Sequence, residues 1–347
     1  MMQSHDLRID EQSLITPALV KRHGKTSHEI DDGLLRQKSA ELALILELAR
    51  QGFANQQPAA KVVEQLAAKL HVLRHQSGHD VWQKLIPLAQ AHPVSEYLLQ
   101  DPFTKWSFEK PRGYSGDASL LDIYYKHPAA NDFIASCTEL GRDIYAYTSD
   151  AASSVAGRER RDILARIVDE TAARKENAEV LAVACGHLRE SEKSEALKAG
   201  TLGRWVTLDQ DPTSVEIVRA ANAGTAIQPV IGNVAGLMRR SYDLGTFDLV
   251  YASGLYDYLP RAVAIRLTQR LMELVKDGGE FLFANFSDEI TTDGYMETFM
   301  DWPLILRSDA DMWDIVNAAV DRNKVDVEVF YGENRNIVYS RVRKKAA

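Results

Sequence analysis

Two short apolar runs end in residues that could bind a ligand. The run 179–185 leads into Gly186, where the lack of a side chain would let the backbone approach a ligand closely. The run 204–208 leads into Asp209, about twenty residues later, where a carboxylate can hydrogen-bond a ribose diol. Asp211 is the fallback for that role, although an acid before Pro212 also suits a helix N-cap. The pair predicts a nucleotide-type cofactor site, with a simple tight turn at Gly186 as the alternative.

Two further apolar runs end in side chains that could line the same site. Asn233 follows the run 227–232, where its amide could address an adenine edge or form an Asx-turn. The run 247–252 continues into Ser253 and Gly254, which we expect above a sheet and beside the ligand. Tyr256 and Tyr258 follow in a loop that ends with proline, and aromatic residues at such a place are expected to line a pocket.

The stretch FEKPRGYSGD, residues 108–117, is a polar turn in the first half of the chain. Its glycines and its position before an apolar helical pattern are typical of a loop that closes over a ligand. The alternative is an ordinary helix N-terminus, with Asp117 in the first turn and the glycines shaping the turn.

The elements that must position these residues follow from the apolar spacing. Residues 35–100, 120–151 and 157–175 carry apolar positions at helical spacing, so the first half is predicted to be α-helical. From residue 179 short apolar runs alternate with helical stretches, which predicts βα units around a parallel sheet. The last two runs, 325–333 and 334–344, have no helix between them and predict an antiparallel hairpin. We expect a helical lid or substrate domain over 1–150 and a doubly wound, Rossmann-like α/β domain over 151–347.

Composition excludes several classes of protein. The chain has 347 residues and a formal net charge of -8, which disfavours a nucleic-acid surface. No apolar run approaches the roughly 20 residues that cross a bilayer, and the opening residues lack the apolar segment of a secretory signal. Cys137 and Cys185 are too isolated for a disulfide framework or a zinc site, so we expect a cytoplasmic protein. The long helices leave a homodimer open.

Metal and nucleophile chemistry is not expected from the residue spacing. The histidines His71, His75 and His79 share helical spacing, but a solvated helix face explains them better than a metal site. No Ser-His-acid order and no His-x-Glu spacing stands out.

The strand ends, taken together, resemble class I S-adenosylmethionine-dependent methyltransferases over about residues 155–345. VLAVACGHLRE stands where that family has its glycine-rich first motif, LDQDP where it has the ribose-binding acid, GNV where it has the adenine contact, and LVKDGGEFLFANF where it has the fifth strand. The family usually has three spaced glycines in the first motif, and this chain has one. KPRGYSGD resembles a bacterial subgroup that includes enzymes esterifying hydroxy fatty acids and others cyclising S-adenosylmethionine to azetidine-2-carboxylate.

The resemblance implies S-adenosyl-L-methionine as the cofactor, a class I methyltransferase fold and a small-molecule acceptor carrying a carboxylate, hydroxyl or amine. The implied cofactor contacts are Arg112, Cys185, Gly186, His187, Asp209, Gln210, Asn233, Val234, Ser253 and Gly254. The implied catalytic residues are Tyr114, Asp117, Tyr256 and Tyr258, and His187 is a further candidate for accepting a proton. Two alternatives stay open: intramolecular cyclisation of the cofactor, and cofactor binding without catalysis. No membrane or nucleic-acid partner is implied.

Overall fold

A computed structural model describes residues 15–17, 20 and 31–346. In this part of the chain the first half is helical, as predicted. The helices are α1 Asp32–Ala54, α2 Ala59–Ser77, α3 His79–Gln90, α4 Ser95–Leu98, α5 Pro102–Glu109, α6 Ala118–Tyr124, α7 Asn131–Ala135, α8 Glu139–Thr148 and α9 Ala152–Arg174. Side chains fix several helix starts; Asp101, for example, accepts hydrogen bonds from the backbone N–H groups of Phe103 and Thr104.

The second half forms one seven-stranded sheet. Its strands are β1 Ala178–Val183, β2 Leu202–Asp209, β3 Ile227–Ile231, β4 Phe247–Ala252, β5 Val275–Phe286, β6 Val325–Tyr331 and β7 Ile337–Lys344. The strand order is β3-β2-β1-β4-β5-β7-β6. The pairs among β1 to β5 are parallel, and β7 runs antiparallel to both β5 and β6. The predicted parallel sheet with a terminal antiparallel hairpin is therefore confirmed.

Helices and turns connect the strands. They are α10 Glu195–Lys198, α11 Pro212–Ala221, α12 Val234–Met238, α13 Arg261–Glu273, α14 Asp293–Thr298 and α15 Asp309–Ala319, with 3₁₀ turns at Pro128–Ala130, Arg189–Lys193 and Tyr256–Tyr258. The helical spacing of apolar residues over 261–277 predicts a helix to about residue 277, but α13 ends at Glu273. The chain enters β5 at Val275, paired with Phe247, and Gly278 at φ +76° absorbs the shift in register.

Burial explains why the central strands are apolar throughout. Every residue of β4 is buried, and β1 is buried except for one partly exposed position. Helices cover both faces of a doubly wound parallel sheet, so the side chains of its central strands cannot alternate between core and water. Trp205, Phe247 and Phe281 are among the large side chains enclosed in this core.

The segment between β5 and α15 packs against the N-terminal helices. Trp82 Nε1 of α3 donates to Glu297 Oε2 of α14 at 2.6 Å, and Arg74 of α2 contacts both Glu297 and Asp293. These contacts cross the predicted division between residues 150 and 151, which stays a prediction. Within the described residues, no helix is long and apolar enough to span a membrane.

Candidate functional site

A cavity that is open to solvent lies beyond the carboxyl ends of β1, β2 and β4. The strand order reverses between β1 and β4, which is where doubly wound sheets bind their ligands. The sequence-predicted residues that line it are Tyr114, Cys185, Gly186, His187, Asp209, Gln210, Asn233, Val234, Ser253, Gly254 and Tyr258. Arg112, Asp117 and Tyr256 lie outside this lining.

The loop after β1 keeps the backbone of a glycine-rich turn with a single glycine. The residues Ala184, Gly186 and Leu188 have φ values of +55°, +54° and +52°. Such left-handed conformations cost a residue with a side chain about 1 kcal/mol or more, so Ala184 and Leu188 are strained positions. A Cβ at position 186 would lie 3.1 Å from the Cβ of Ala118, so the loop passes close to the start of α6.

Asp209 joins the ends of β1 and β2 at the cavity wall. Its Oδ2 accepts a hydrogen bond from the Gly186 N–H at 2.8 Å, and its Oδ1 accepts one from the Asp211 N–H at 2.9 Å. The residue is 7% exposed, and this burial raises the pKa of its carboxyl group. The carboxylate therefore fixes the loop that contains the single glycine.

The side chain of Gln210 binds the backbone of Ile15 at the cavity. Its side-chain amide accepts from the N–H of Ile15 and donates to the carbonyl of Ile15, both at 3.0 Å. Ile15 is buried and lines the cavity. Gln210 therefore acts on the site through a backbone segment nearly two hundred positions earlier in the sequence.

Arg112 and Asp211 bind each other at the edge of the site. Arg112 Nη1 donates to Asp211 Oδ2 at 2.5 Å and to Ser214 Oγ at 3.1 Å. Asp211 also caps α11, accepting from the Thr213 N–H at 2.9 Å. Asp211 thus has the N-cap role that the sequence offered as an alternative, and Arg112 supports that cap instead of lining the cavity.

Asp117 is also a helix cap. Its Oδ1 accepts the N–H groups of Ser119 and Leu120, and its Oδ2 accepts Trp106 Nε1 at 2.9 Å. The residue is only 1% exposed. Oδ1 thus caps the start of α6 and Oδ2 binds the indole of α5, so the geometry gives Asp117 the structural role that the sequence left open and does not support a catalytic one.

The two loop tyrosines have different surroundings. Tyr256 is fully enclosed: its hydroxyl lies 2.8 Å from Thr268 Oγ1 and its ring stacks on Phe283. This packing removes Tyr256 from the cavity and does not support its predicted catalytic role. Tyr258 does line the cavity, where its hydroxyl accepts a hydrogen bond from Trp302 Nε1 at 2.9 Å.

Tyr114 and Tyr258 face the cavity as neutral phenols. Burial is the main reason that the pKa of each hydroxyl is raised well above its usual value. The Asp209 carboxylate adds to the rise at Tyr114, and Asp257 adds to it at Tyr258. Both side chains are therefore hydrogen-bonding and aromatic groups at neutral pH and poor proton acceptors.

Asn233 caps a helix at the cavity wall. Its Oδ1 accepts the Gly236 N–H at 2.8 Å and so caps α12, while the residue also lines the cavity beside Val234. Across the cavity, the Ser253 carbonyl accepts a hydrogen bond from Arg160 Nη1 at 2.8 Å.

Sequence reasoning missed a buried cluster around His187. Asp122 Oδ2 lies 2.8 Å from His187 Nδ1, and both Asp122 oxygens accept from Arg189 at 2.8 Å. Burial acts to raise the pKa of Asp122, but the bonds from Arg189 and His187 outweigh it and lower the pKa to about 2. Asp122 is therefore an anion that orients the His187 ring at the cavity.

Arg160 is a second residue that sequence reasoning missed. It lines the cavity and is 3% exposed, and its Nε has no hydrogen-bond partner among the described residues. It was detectable, because it occupies the apolar stripe of α9 between Ala156 and Ile163, where a charge is unexpected.

The histidines of α2 contact an acid and not only solvent. His71 Nδ1 lies 2.7 Å from Asp293 Oδ1, and His75 Nε2 lies 3.0 Å from Asp293 Oδ2. Arg74 Nη1 shares that second oxygen at 3.0 Å. His79, which begins α3, is not part of this group. The arrangement is a hydrogen-bonded ionic cluster that joins α2 to α14.

No protein-family model matches the chain, and no curated protein matches it. Among solved structures, a possible exported protein from Bordetella parapertussis is similar over 92% of this chain and 100% of its own, with 17% identity and a TM-score of 0.53. N-methyltransferase NodS from Bradyrhizobium japonicum, in complex with S-adenosylhomocysteine, is similar over 64% of this chain and 99% of its own, with 14% identity and a TM-score of 0.40. The plantazolicin methyltransferase BamL, in complex with a triazolic desmethylPZN analog and SAH, is similar over 65% of this chain and 94% of its own, with 9% identity and a TM-score of 0.43. The likeness to the Bordetella protein concerns the fold.

Proposed function

We propose that this protein is an S-adenosylmethionine-dependent methyltransferase that acts on a small molecule. The observation that carries the proposal is the bond between Asp209 and the Gly186 N–H at the switch point of the sheet. A carboxylate at the end of β2 beside a tight loop after β1 is the arrangement that binds the ribose of an adenine nucleotide. The stretch 110–117, whose Tyr114 and Gly116 line the cavity, supports the narrower subgroup that KPRGYSGD resembles.

The residues of the cavity fit such a cofactor. Asp209 would hold the ribose, Asn233 and Val234 would border the adenine, and the backbone at Gly186 would lie against the adenosyl group. Arg160 offers an unused donor near Ser253, where the amino-acid part would lie.

Within the part of the chain that the structure describes, five Tyr, Phe and Trp side chains line the cavity and suit a positively charged sulfur. They are Tyr114, Tyr125, Tyr258, Phe286 and Trp302. The faces of aromatic rings attract cations by about 0.5–2 kcal/mol, and their apolar surface excludes water. When bound, S-adenosylmethionine supplies an electrophilic methyl group on a sulfonium, which is already a good leaving group. The protein's main tasks are then alignment and exclusion of water.

His187 is the best-placed residue to accept a proton from a hydroxyl or amine acceptor. The Asp122 carboxylate accepts a hydrogen bond from Nδ1–H of His187. This bond orients the ring and leaves Nε2 as the basic nitrogen. Arg112 Nη2 lies 3.4 Å from Nε2, a long contact that an acceptor could displace. Asp117 and Tyr256 are engaged elsewhere, and Tyr114 and Tyr258 stay protonated. A carboxylate acceptor would need no base.

The test is incubation with S-adenosylmethionine, first alone and then with acceptors of each class, followed by mass spectrometry. S-adenosylhomocysteine formed only with an acceptor supports methyl transfer. Methylthioadenosine released without an acceptor supports intramolecular cyclisation in the same cavity. Tight binding with no product supports a non-catalytic cofactor-binding protein, and no binding rejects the proposal.

The free thiols of Cys137 and Cys185 support a reducing, cytoplasmic setting.

A further inference from the structure

Arg160 is a buried cation whose hydrogen bonds go to neutral groups. Its Nη1 donates to the Ser253 carbonyl at 2.8 Å and its Nη2 to the Tyr124 hydroxyl at 3.3 Å. The third donor, Nε–H, has no partner among the described residues. A buried charge without an ion-pair partner is costly, and guanidinium groups in such places commonly bind a ligand anion.

The nearby carboxylates leave that positive charge unpaired. Asp257 also lines the cavity, but its Oδ1 accepts the Phe286 N–H at 2.7 Å. Glu190 is buried on the cavity wall, where its Oε1 accepts the Tyr251 hydroxyl at 2.7 Å. Neither forms an ion pair with Arg160 in the described part of the chain. One cavity therefore contains a buried guanidinium with an unused N–H donor and a buried carboxyl group, which are the kinds of group that bind the carboxylate and the ammonium of an α-amino acid.

The position of Arg160 relative to Asp209 indicates which end of a nucleoside ligand it meets. Asp209 ends β2, and Ser253 follows β4, which lies two strands away in the order β2-β1-β4. Neighbouring strands are about 4.8 Å apart, so the two sites are separated by roughly 10 Å. With the ribose at Asp209, a tail extending across β1 would bring its far end to Ser253, Gly254 and Arg160.

We propose that Arg160 binds the carboxylate of the amino-acid part of S-adenosylmethionine, with Glu190 on the side of its ammonium group. The inference rests on the proposed cofactor. It assigns the carboxylate to a residue of α9. Arg112, the arginine that the resemblance implies as a cofactor contact, binds Asp211 instead.

The test is calorimetric binding of two probes to the intact protein. S-adenosylhomocysteine has the amino-acid carboxylate, and methylthioadenosine lacks the whole amino-acid part. For Arg160→Met we expect affinity for S-adenosylhomocysteine to fall roughly 10- to 100-fold, as for a lost charge-assisted hydrogen bond, and affinity for methylthioadenosine to change less than about threefold. Arg160→Lys, which keeps the charge but not the planar fork, should lie between Arg160→Met and the wild type.

The neighbouring residue provides a matched control. Arg161 stacks over the Tyr125 ring and contacts Asp162, but it does not line the cavity, so Arg161→Met should bind both probes like the wild type. Equal losses for the two probes in Arg160→Met, or no loss for either, would overturn the inference while leaving the proposed cofactor standing. A wild-type protein that binds neither probe would reject the cofactor itself. If Arg160→Met does not fold, the wild type and Arg160→Lys are compared with S-adenosylhomocysteine and its methyl ester; an equal preference for the acid in both would overturn the assignment.

Discussion

Asp122 and His187 form a buried pair: the carboxylate Oδ2 lies 2.8 Å from the ring Nδ1, and Arg189 holds the same carboxylate through two nitrogens. Asp122 belongs to α6 and His187 to the loop after β1. The pair therefore connects the N-terminal helices to the sheet at the cavity wall. This contact between the helices and the sheet is made by charged and polar side chains and not by apolar ones, so its contribution to stability depends on pH.

Asp122→Asn should remove a pH-dependent part of the stability. The pKa of Asp122 is about 2 in the folded chain against 3.8 for a free side chain, so its contribution is fully present above about pH 4 and is lost as the pH falls toward 2. The shift corresponds to about 2 kcal/mol. Urea unfolding should show the variant less stable than the wild type by at least that amount at pH 7, with a smaller difference at pH 3. A difference independent of pH would contradict this assignment.

Gly116→Ala should disturb the cavity wall more than Gly113→Ala does. Both glycines have positive φ, +79° and +88°, so both variants carry similar backbone strain. A Cβ at 116 would lie 2.7 Å from Trp302 Nε1 and still closer to the Tyr258 hydroxyl, whereas one at 113 would meet nothing within 4 Å. We expect a loss of about 1 kcal/mol for Gly113→Ala and of roughly 2–4 kcal/mol for Gly116→Ala in chemical unfolding. Equal losses would show that the Tyr258–Trp302 contact tolerates the methyl group.

Ala184→Gly should stabilise the protein. Ala184 has φ +55°, which glycine adopts without the penalty of a side chain, and we expect a gain of about 0.5–1 kcal/mol in the free energy of unfolding. Ala182, two residues earlier in β1, is the control: it is fully buried in regular strand, so Ala182→Gly should destabilise. A loss of stability in Ala184→Gly would mean that the methyl group packs more favourably than its backbone strain costs.

Asp209→Asn should weaken both the loop and the cofactor affinity. An amide cannot accept from the N–H groups of Gly186 and Asp211 at once, because one of its ends is itself a donor. We expect a stability loss of about 1–2 kcal/mol and an affinity for S-adenosylhomocysteine at least roughly tenfold lower. Asp211 caps α11 and binds Arg112, so Asp211→Asn should lower the stability of the protein with little change in its affinity for S-adenosylhomocysteine. Wild-type affinity in Asp209→Asn would remove this carboxylate from the proposed ribose site.

The sequence predicted the sheet and the rim of the site because both depend on local patterns. Strand ends can be located from apolar runs, and a doubly wound sheet brings those ends together, as it does for Gly186, Asp209, Asn233 and Ser253. Local patterns cannot distinguish a capping acid from a ligand-binding one, and Asp117 is a cap.

The features that the sequence did not show depend on tertiary contacts; His187, for example, was predicted at the site, but its pairing with Asp122 was not. Asp122 and His187 are 65 positions apart, and nothing near either in the sequence indicates the other. Tyr256 and Tyr258 are two positions apart with similar neighbours, yet one packs in the core and the other faces the cavity. Arg160 alone had a local signal, a charge within an apolar helical stripe.

The segment between β5 and α15 couples the cavity to the N-terminal helices. It is fastened to α2 and α3 through Asp293 and Glu297, and a few residues later Trp302 forms part of the cavity wall. A ligand that binds against the Trp302 indole therefore also stabilises α2 and α3, which it does not contact. Ligand binding in the cavity should slow amide hydrogen exchange in α2 and α3, so exchange in these helices reports whether the cavity is occupied.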